Sequence, residues 1–127
     1  MTATKASGEL LQRLLGASGG CACALAVGLG AYASHAAAGQ AQSWLQTASL
    51  YLFLHGLALL LLAPAARRAF MRAALVLMAL GLVLFAGSLT AAAVLDWPTR
   101  LAPIGGGSLI LAWLLLAFDR LRWSAER

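Results

Sequence analysis

Charged residues are scarce in this 127-residue chain and are missing from one long stretch of it. Only 10% of the residues are Asp, Glu, Lys or Arg, compared with about a quarter in an ordinary soluble domain. No charged residue lies between Arg13 and Arg67, whereas 62% of all residues are hydrophobic. This composition excludes a soluble globular domain and favours a single compact unit whose main solvent is lipid.

The distribution of the basic residues excludes a nucleic-acid partner. The formal net charge is +5, and a nucleic-acid-binding protein would gather that charge on one solvated face. Here the nine Lys and Arg residues flank apolar runs, which is typical of a membrane protein. We therefore expect the lipid bilayer, and no nucleic acid, as a partner of this chain.

Cysteine is also rare, and the two cysteines, Cys21 and Cys23, lie in the first apolar run. Residues two apart on a helix point about 200° away from each other, so these thiols neither pair nor share a metal ion. Small packing residues are the simplest interpretation of both.

Four apolar runs predict an all-α fold, an integral membrane bundle of four transmembrane helices. The polar stretch 36–43 separates the first two runs, Pro64 and a basic loop end the second, and the turn 96–100 ends the third. The predicted spans cover about 14–34, 44–63, 73–95 and 101–118. Residues 1–13 are expected to form a cytoplasmic N-terminal segment, and residues 119–127 a basic cytoplasmic tail.

The Lys and Arg residues predict which side of the membrane each end occupies. With both termini in the cytoplasm, eight of the nine lie on the cytoplasmic side and only Arg100 lies outside. Trp44 and Trp97 then fall at the outer interface and Trp123 near the inner one, where amphipathic rings prefer to lie. We expect a multi-pass protein of the cytoplasmic (inner) membrane. The alternative, a signal peptide cleaved at the A-x-A pattern 31–33, would leave three spans.

Glycines recur at helical spacing in the first span. Gly16, Gly20 and Gly28 lie four or eight residues apart, and such ridges of small residues let helix backbones approach closely in lipid. The third and fourth runs contain further glycines. The predicted helix-packing residues are Gly16, Gly20, Gly28, Gly87, Gly105 and Gly106.

A polar stripe in the second span is the candidate ligand site. Thr47, Tyr51 and His55 follow one another at intervals of four residues and share one helix face. His55 would lie about 16 Å below the outer boundary, close to the middle of the bilayer. An ionisable residue there suggests function, or else a neutral imidazole hydrogen-bonded to a hydroxyl or carbonyl of a neighbouring helix. His35, at the outer end of the first span, and Ser88 in the third complete the candidate set.

The spans lack the polar residues that several activities would need. No carboxylate lies within a span to load and unload protons, which argues against a proton-coupled transporter. No serine is accompanied by both a base and a placed acid, so we predict no catalytic residues and no enzyme. Two histidines invite a haem hypothesis, but His35 and His55 differ in predicted depth, and no thiolate or carboxylate accompanies them. We expect no metal site and no cofactor.

Four segments together resemble a known family. They are G-A-Y-A-S-H at 30–35, T-A-x-x-Y-x-x-x-H at 47–55, F-x-G-S at 85–88 and P-x-G-G at 103–106. They are similar to those of the family called domain of unknown function 423, which includes transmembrane protein 256-like small membrane proteins. The resemblance covers about 28–118 and implies a protein of a bacterial cytoplasmic membrane or a mitochondrion, with a retained first span and no established activity. Tyr32 and Ser34 depart from the family's usual Phe and Ala.

The leading functional hypothesis is a non-enzymatic membrane protein whose polar intramembrane face binds a lipid, a quinone or a partner helix. A channel or carrier for a small neutral solute is an alternative, because the helices are rich in glycine and contain no charge. A histidine-ligated haem or metal redox protein is the second alternative. Besides the bilayer, another membrane protein or a second copy of the chain, in a homo-oligomer, is an expected partner.

Overall fold

The computed structural model describes the backbone of residues 3–125 and the side chains of residues 3–122. Four long α-helices follow one another: α1 (Ala3–His35), α2 (Gly39–Leu62), α3 (Ala69–Leu95) and α4 (Ala102–Ala125). All four are long and apolar enough to cross a membrane, and no strand occurs in this part of the chain. The predicted all-α membrane fold with four spans is confirmed.

The helix ends follow from local backbone chemistry. Pro64 lies in a 3-10 turn (Ala63–Ala65) directly after α2, because proline cannot donate to the helical hydrogen-bond ladder. Asp96 adopts a left-handed conformation, with φ of 54°, and ends α3. Pro103 lies in the first turn of α4, where its missing N–H would have no helical partner.

Helix α1 begins well before the apolar run that predicts the first span. Its 33 residues correspond to about 50 Å, compared with about 30 Å for the hydrocarbon core of a bilayer. The additional turns contain Lys5 and Arg13 and no proline that would interrupt them. Residues 1, 2, 126 and 127 lie outside the described residues, including Arg127 of the expected tail, as does the side chain of Trp123.

The helices pack in chain order. Helix α1 packs along α2, α2 along α3 and α3 along α4, whereas α1 and α3 meet over a short stretch only. The most deeply buried large side chains are Leu45, Leu59, Leu75 and Met78. This order leaves the space between α1 and α3 only partly filled.

Both ends of the described chain lie at one end of the bundle. Gln12 Nε2 of α1 donates to the Ala66 carbonyl oxygen at 2.7 Å, and Arg68 forms a 2.8 Å ion pair with Asp119 of α4. These contacts join the start of α1, the α2–α3 connection and the end of α4, and we name this the basic end. The opposite end carries the α1–α2 and α3–α4 turns.

Candidate functional site

His55 lies in the second half of α2 and is buried, with 6% of its surface exposed. Its Nε2 atom is 3.1 Å from Nε1 of Trp113 on α4, and its Nδ1 atom is 2.8 Å from the Tyr51 carbonyl oxygen. An indole N–H only donates, so Nε2 accepts; a carbonyl oxygen only accepts, so Nδ1 carries the proton. The imidazole is therefore neutral, and both of its nitrogens are engaged within the protein.

Four rings form one cluster across three helices: Tyr51 and His55 of α2, Phe85 of α3 and Trp113 of α4. The Tyr51 ring stacks on the His55 ring with 5.3 Å between centroids and lies 4.4 Å from the Phe85 ring. The His55 and Trp113 rings are 5.9 Å apart and tilted by 57°. Ring pairs attract one another in this range of distances. We name these four residues the aromatic cluster; they join α2, α3 and α4.

Two other residues of the predicted candidate set, Thr47 of the polar stripe and Ser88 of α3, are placed differently. The Thr47 hydroxyl donates to the Ser43 carbonyl oxygen at 3.0 Å, so it is satisfied within its own helix. Ser88 is buried on α3, three residues after Phe85 of the aromatic cluster. The structure thus brings Tyr51 and His55 together and gives Thr47 a local partner.

The two histidines lie far apart. His35 is exposed at the end of α1. Close to it, Gln42 Nε2 at the start of α2 donates to the Ala33 carbonyl oxygen at 3.0 Å. Because Gln42 precedes His55 by thirteen helical residues, the two histidines are separated by about 20 Å along the bundle.

Trp113 is the partner of His55 that the sequence pattern did not single out as a site residue. The available signal is its position inside the fourth apolar run, because an indole N–H within a bilayer requires an acceptor. The neutral-imidazole interpretation of His55 expected a hydroxyl or carbonyl of a neighbouring helix as its partner. In the structure the carbonyl belongs to α2 itself, and the neighbouring helix supplies an indole.

Two glycine pairs mark the closest helix contacts. A Cβ atom on Gly19 of α1 would stand 2.5 Å from the Gly56 carbonyl oxygen of α2, and one on Gly56 would stand 2.8 Å from the Gly19 carbonyl oxygen. Gly81 and Gly105 meet in the same manner where α3 crosses α4. A side chain at these positions would collide with the backbone of the neighbouring helix.

The other predicted packing glycines have looser surroundings. Gly16, Gly20 and Gly106 face side chains that lie 3.6–3.9 Å from the position a Cβ would take, which is ordinary van der Waals distance. Gly28 and Gly87 have nothing within 4 Å of that position. Both of these open glycines line a groove between α1 and α3.

That groove has a volume of about 1080 Å³, and Leu52 of α2 contributes to its floor. On α1 the groove extends from Cys21 to Tyr32, and on α3 from Leu82 to Leu95. These stretches measure about 16 Å and 20 Å, similar to one leaflet of a hydrocarbon core about 30 Å thick. We name this the α1–α3 groove; it lies in the half of the bundle away from the basic end.

The lining of the α1–α3 groove is almost entirely hydrocarbon. Gly28 and Gly87 expose bare backbone walls, and most other lining residues are alanine, leucine and valine. The Thr90 hydroxyl lies in the groove but donates to the Ala86 carbonyl oxygen at 2.8 Å. The groove therefore suits an apolar chain better than a ligand with several polar atoms.

Asp119 marks a second feature that the sequence pattern did not single out. It lies one residue past the fourth predicted span and is almost completely buried, with 3% exposed. Its Oδ2 atom accepts from Arg68 at 2.8 Å. A buried carboxylate requires such a partner, and the pair fixes the α2–α3 connection to the end of α4.

These observations define a class: a small α-helical membrane protein with four spans, three of which are joined by an aromatic cluster. The chain belongs to the family described as "Protein of unknown function (DUF423)", whose model matches residues 29–106. The chain is also similar to a relative named "UPF0382 membrane protein", from Haemophilus influenzae. The two are 36% identical over 107 residues, which cover 76% of this chain and 84% of the relative. No solved structure matches the chain.

The family resemblance seen in the sequence is therefore confirmed. The matched stretch extends from the last turns of α1 to the first turns of α4. It contains three members of the aromatic cluster, Tyr51, His55 and Phe85, and ends before Trp113. Neither the family description nor the relative's name states an activity, so function must be argued from the geometry.

Proposed function

We propose that this chain is a non-enzymatic protein of the cytoplasmic membrane that binds the hydrocarbon chain of a membrane lipid in the α1–α3 groove. The observation that carries the proposal is the groove itself, about 1080 Å³ of apolar space with two open glycine positions. The expected ligands were a lipid, a quinone or a partner helix, and of these we propose the lipid chain.

The surroundings of the groove support this selection. Helices α1 and α3 are apolar enough to lie in lipid, where no water is available to fill a concave surface. Gly28 and Gly87 widen the groove by the volume of two side chains, and its length is close to that of one leaflet. An acyl chain adapts to such a wall and gains van der Waals contact along it.

A second copy of the chain fits the groove less well. In a twofold dimer whose axis passes through the groove, one groove would face the other and the apolar space would stay unfilled. A quinone would need donors for both of its carbonyl oxygens, and the Tyr32 hydroxyl, at one end of the groove, supplies a donor at that end only. The Thr90 hydroxyl, which lines the groove, is already engaged by Ala86.

In this proposal the aromatic cluster has a structural role and binds no ligand. A haem or metal ion needs a free lone pair, but Nε2 of His55 already accepts from Trp113 and Nδ1 carries the proton. No group of three potential metal ligands occurs among the described residues. The cluster holds α2, α3 and α4 in register so that α3 can form one wall of the α1–α3 groove.

The orientation in the membrane is part of the same proposal. The described residues of the basic end include seven basic side chains, whereas Arg100 is at the opposite end. Basic residues accumulate on the cytoplasmic side of membrane proteins. The seven are Lys5, Arg13, Arg67, Arg68, Arg72, Arg120 and Arg122.

Lipid retention by groove-filling variants tests the proposal. The double substitution Gly28→Leu and Gly87→Leu places side chains in open space, and leucine favours the helix more than glycine does. The purified variant is mixed with phosphatidylcholine in mild detergent and its bound lipids are counted by native mass spectrometry. We expect the wild-type chain to retain one lipid that the double variant loses.

Gly107→Leu is the matched control. Gly107 is exposed on α4, outside the α1–α3 groove, and it too has nothing within 4 Å of a Cβ position. This variant is expected to retain lipid like the wild type. Equal retention by all three proteins, or no retained lipid on the wild type, would contradict the proposal.

A further inference from the structure

A second, smaller pocket lies between α1 and α3 at the basic end. Its volume is about 430 Å³, and its walls are apolar apart from a single arginine, Arg72. Leu11 of α1 faces Val76, Leu77 and Leu80 of α3 across this space. We name it the basic-end pocket; Ala69 and Ala73 complete its lining.

The arginine of the pocket reaches from α3 to α1. The Arg72 guanidinium carbon lies 3.6 Å from the position that a Cβ on Gly8 would take. One of its nitrogens donates to the Arg67 carbonyl oxygen at 2.6 Å. A guanidinium has five N–H donors, and the remaining four have no acceptor among the described side chains and backbone.

The charge around this pocket is strongly positive. The described basic end has seven basic residues and two acidic ones, Glu9 and Asp119. Asp119 is already paired with Arg68. Glu9 lies on α1 beside Gly8, and the structure shows no ion pair between it and Arg72. Arg72 is thus a cation with free donors at the edge of an apolar space.

We propose that the basic-end pocket binds an anionic phospholipid, with its phosphate on Arg72 and an acyl chain against Leu11, Val76 and Leu80. An arginine fork fits a phosphate through two parallel hydrogen bonds. The excess of basic residues around it attracts an anionic headgroup before contact is made. Phosphate and chain are then held by adjoining parts of one pocket.

This site goes beyond the proposed function, because it lies at the other end of the α1–α3 interface and selects for charge. The α1–α3 groove takes a chain whatever its headgroup. Both lipids carry the phosphate that Arg72 would bind, but the choline of phosphatidylcholine adds a positive charge that the basic residues around the pocket repel, so the basic-end pocket prefers phosphatidylglycerol. An experiment that compares these two lipids can therefore support lipid binding at one site and contradict it at the other.

Competition between the two lipids tests the inference. The full chain in mild detergent is offered equal amounts of phosphatidylglycerol and phosphatidylcholine, and the ratio of bound lipids is read by native mass spectrometry. We expect a preference for phosphatidylglycerol that falls about fivefold in Arg72→Gln, since one basic residue near a membrane surface contributes about that factor. Arg13→Gln removes an exposed charge from the same end. Arg13 follows the pocket residue Leu11 by two helical residues and so points about 200° away from the pocket, so this variant should keep the preference.

A second variant examines the apolar half of the pocket without changing charge. Ala73 is exposed on α3 and lines the pocket, so Ala73→Phe should obstruct the chain and lower the amount of bound phosphatidylglycerol. Absence of a preference in the wild type, or an equal loss in Arg72→Gln and Arg13→Gln, would overturn the inference. The variant with leucine at positions 28 and 87 should keep the preference, whether or not it retains phosphatidylcholine.

Discussion

The neutral state of His55 follows from its two neighbours. Protonation would place a second N–H on Nε2, directly against the indole N–H of Trp113, and two donors cannot form a hydrogen bond. The charged form would also lie within the apolar span of α2. The His55 ring can therefore form its hydrogen bond from α2 to Trp113 of α4 only in its neutral form.

Removal of the indole N–H tests this connection. Trp113→Phe keeps an aromatic ring but leaves the Nε2 lone pair of His55 without a donor. We expect the free energy of unfolding in mixed micelles to fall by about 1 kcal/mol, within the range for interhelical hydrogen bonds in membranes.

Trp97→Phe is the matched control for that measurement. Trp97 follows α3 at the end opposite the basic end and is 63% exposed, so the same substitution should leave the stability nearly unchanged. Equal stability of the Trp113 and Trp97 variants would show that the hydrogen bond to His55 contributes nothing.

The sequence pattern predicted which polar residues of α2 share a helix face but not their partners on other helices. The spacing of Tyr51 and His55 predicts a shared helix face, and the structure places both in one cluster. Trp113 is 58 residues away from His55 in the chain, and their meeting depends on the rotation of α4, which no local pattern specifies.

At the scale of whole helices, glycine placement determines how closely the backbones approach. The ridge through Gly16 and Gly20 predicts the face of α1 that meets another helix, but the tightest contact is at Gly19, one residue away. A spacing of four residues drifts around a helix of 3.6 residues per turn. The exact contact face therefore depends on the partner helix, here on Gly56 of α2.

Adjacent glycines of α1 provide a test of this contact. In Gly19→Ala the new methyl group would meet the backbone of Gly56 and Leu60, whereas in Gly20→Ala it would lie 3.9 Å from a flexible leucine methyl. We expect Gly19→Ala to lower the free energy of unfolding by about 1–2 kcal/mol through overpacking, after the better helix propensity of alanine is allowed for.

Gly20→Ala should leave the stability unchanged or raise it by up to about 1 kcal/mol, because alanine favours the helix and meets no backbone. Both variants are measured by denaturation in mixed micelles. A larger loss in Gly20→Ala than in Gly19→Ala would contradict the packing of α1 on α2.

The number and type of the helices were predictable, because long apolar runs can only form helices in lipid. The breaks were also predictable from Pro64 and from the polar turns. The groove was not, since it results from α1 packing on α2 and touching α3 only briefly. The packing of α1 on α2 depends on the contact between Gly19 and Gly56, which the sequence alone does not specify.

Across the whole molecule, the α1–α3 groove and the basic-end pocket follow one stripe of α3. Ala69, Val76, Val83, Gly87 and Val94 recur at intervals of four or seven residues along it. Such intervals keep side chains on one helix face. Helix α1 lines both spaces although it contacts α3 over a short stretch only, so the two proposed lipid sites lie on the same side of the bundle.

The proposed orientation is a prediction about the whole molecule. A fluorescent protein fused to the C-terminus should fold and fluoresce in the cytoplasm, and alkaline phosphatase at the same position should stay inactive. A fusion inserted at the α1–α2 turn should give the reverse pattern. An active C-terminal phosphatase would place the basic end outside and contradict the orientation.

The proposed function requires that the α1–α3 groove holds an acyl chain in the membrane. Its most direct test is photo-cross-linking of the wild-type protein in phosphatidylcholine bilayers, with a diazirine on the acyl chain and peptide mapping of the adducts. We expect adducts concentrated on the groove stretches of α1, 21–32, and α3, 82–95. Adducts spread evenly over the lipid-exposed faces of all four helices would contradict it.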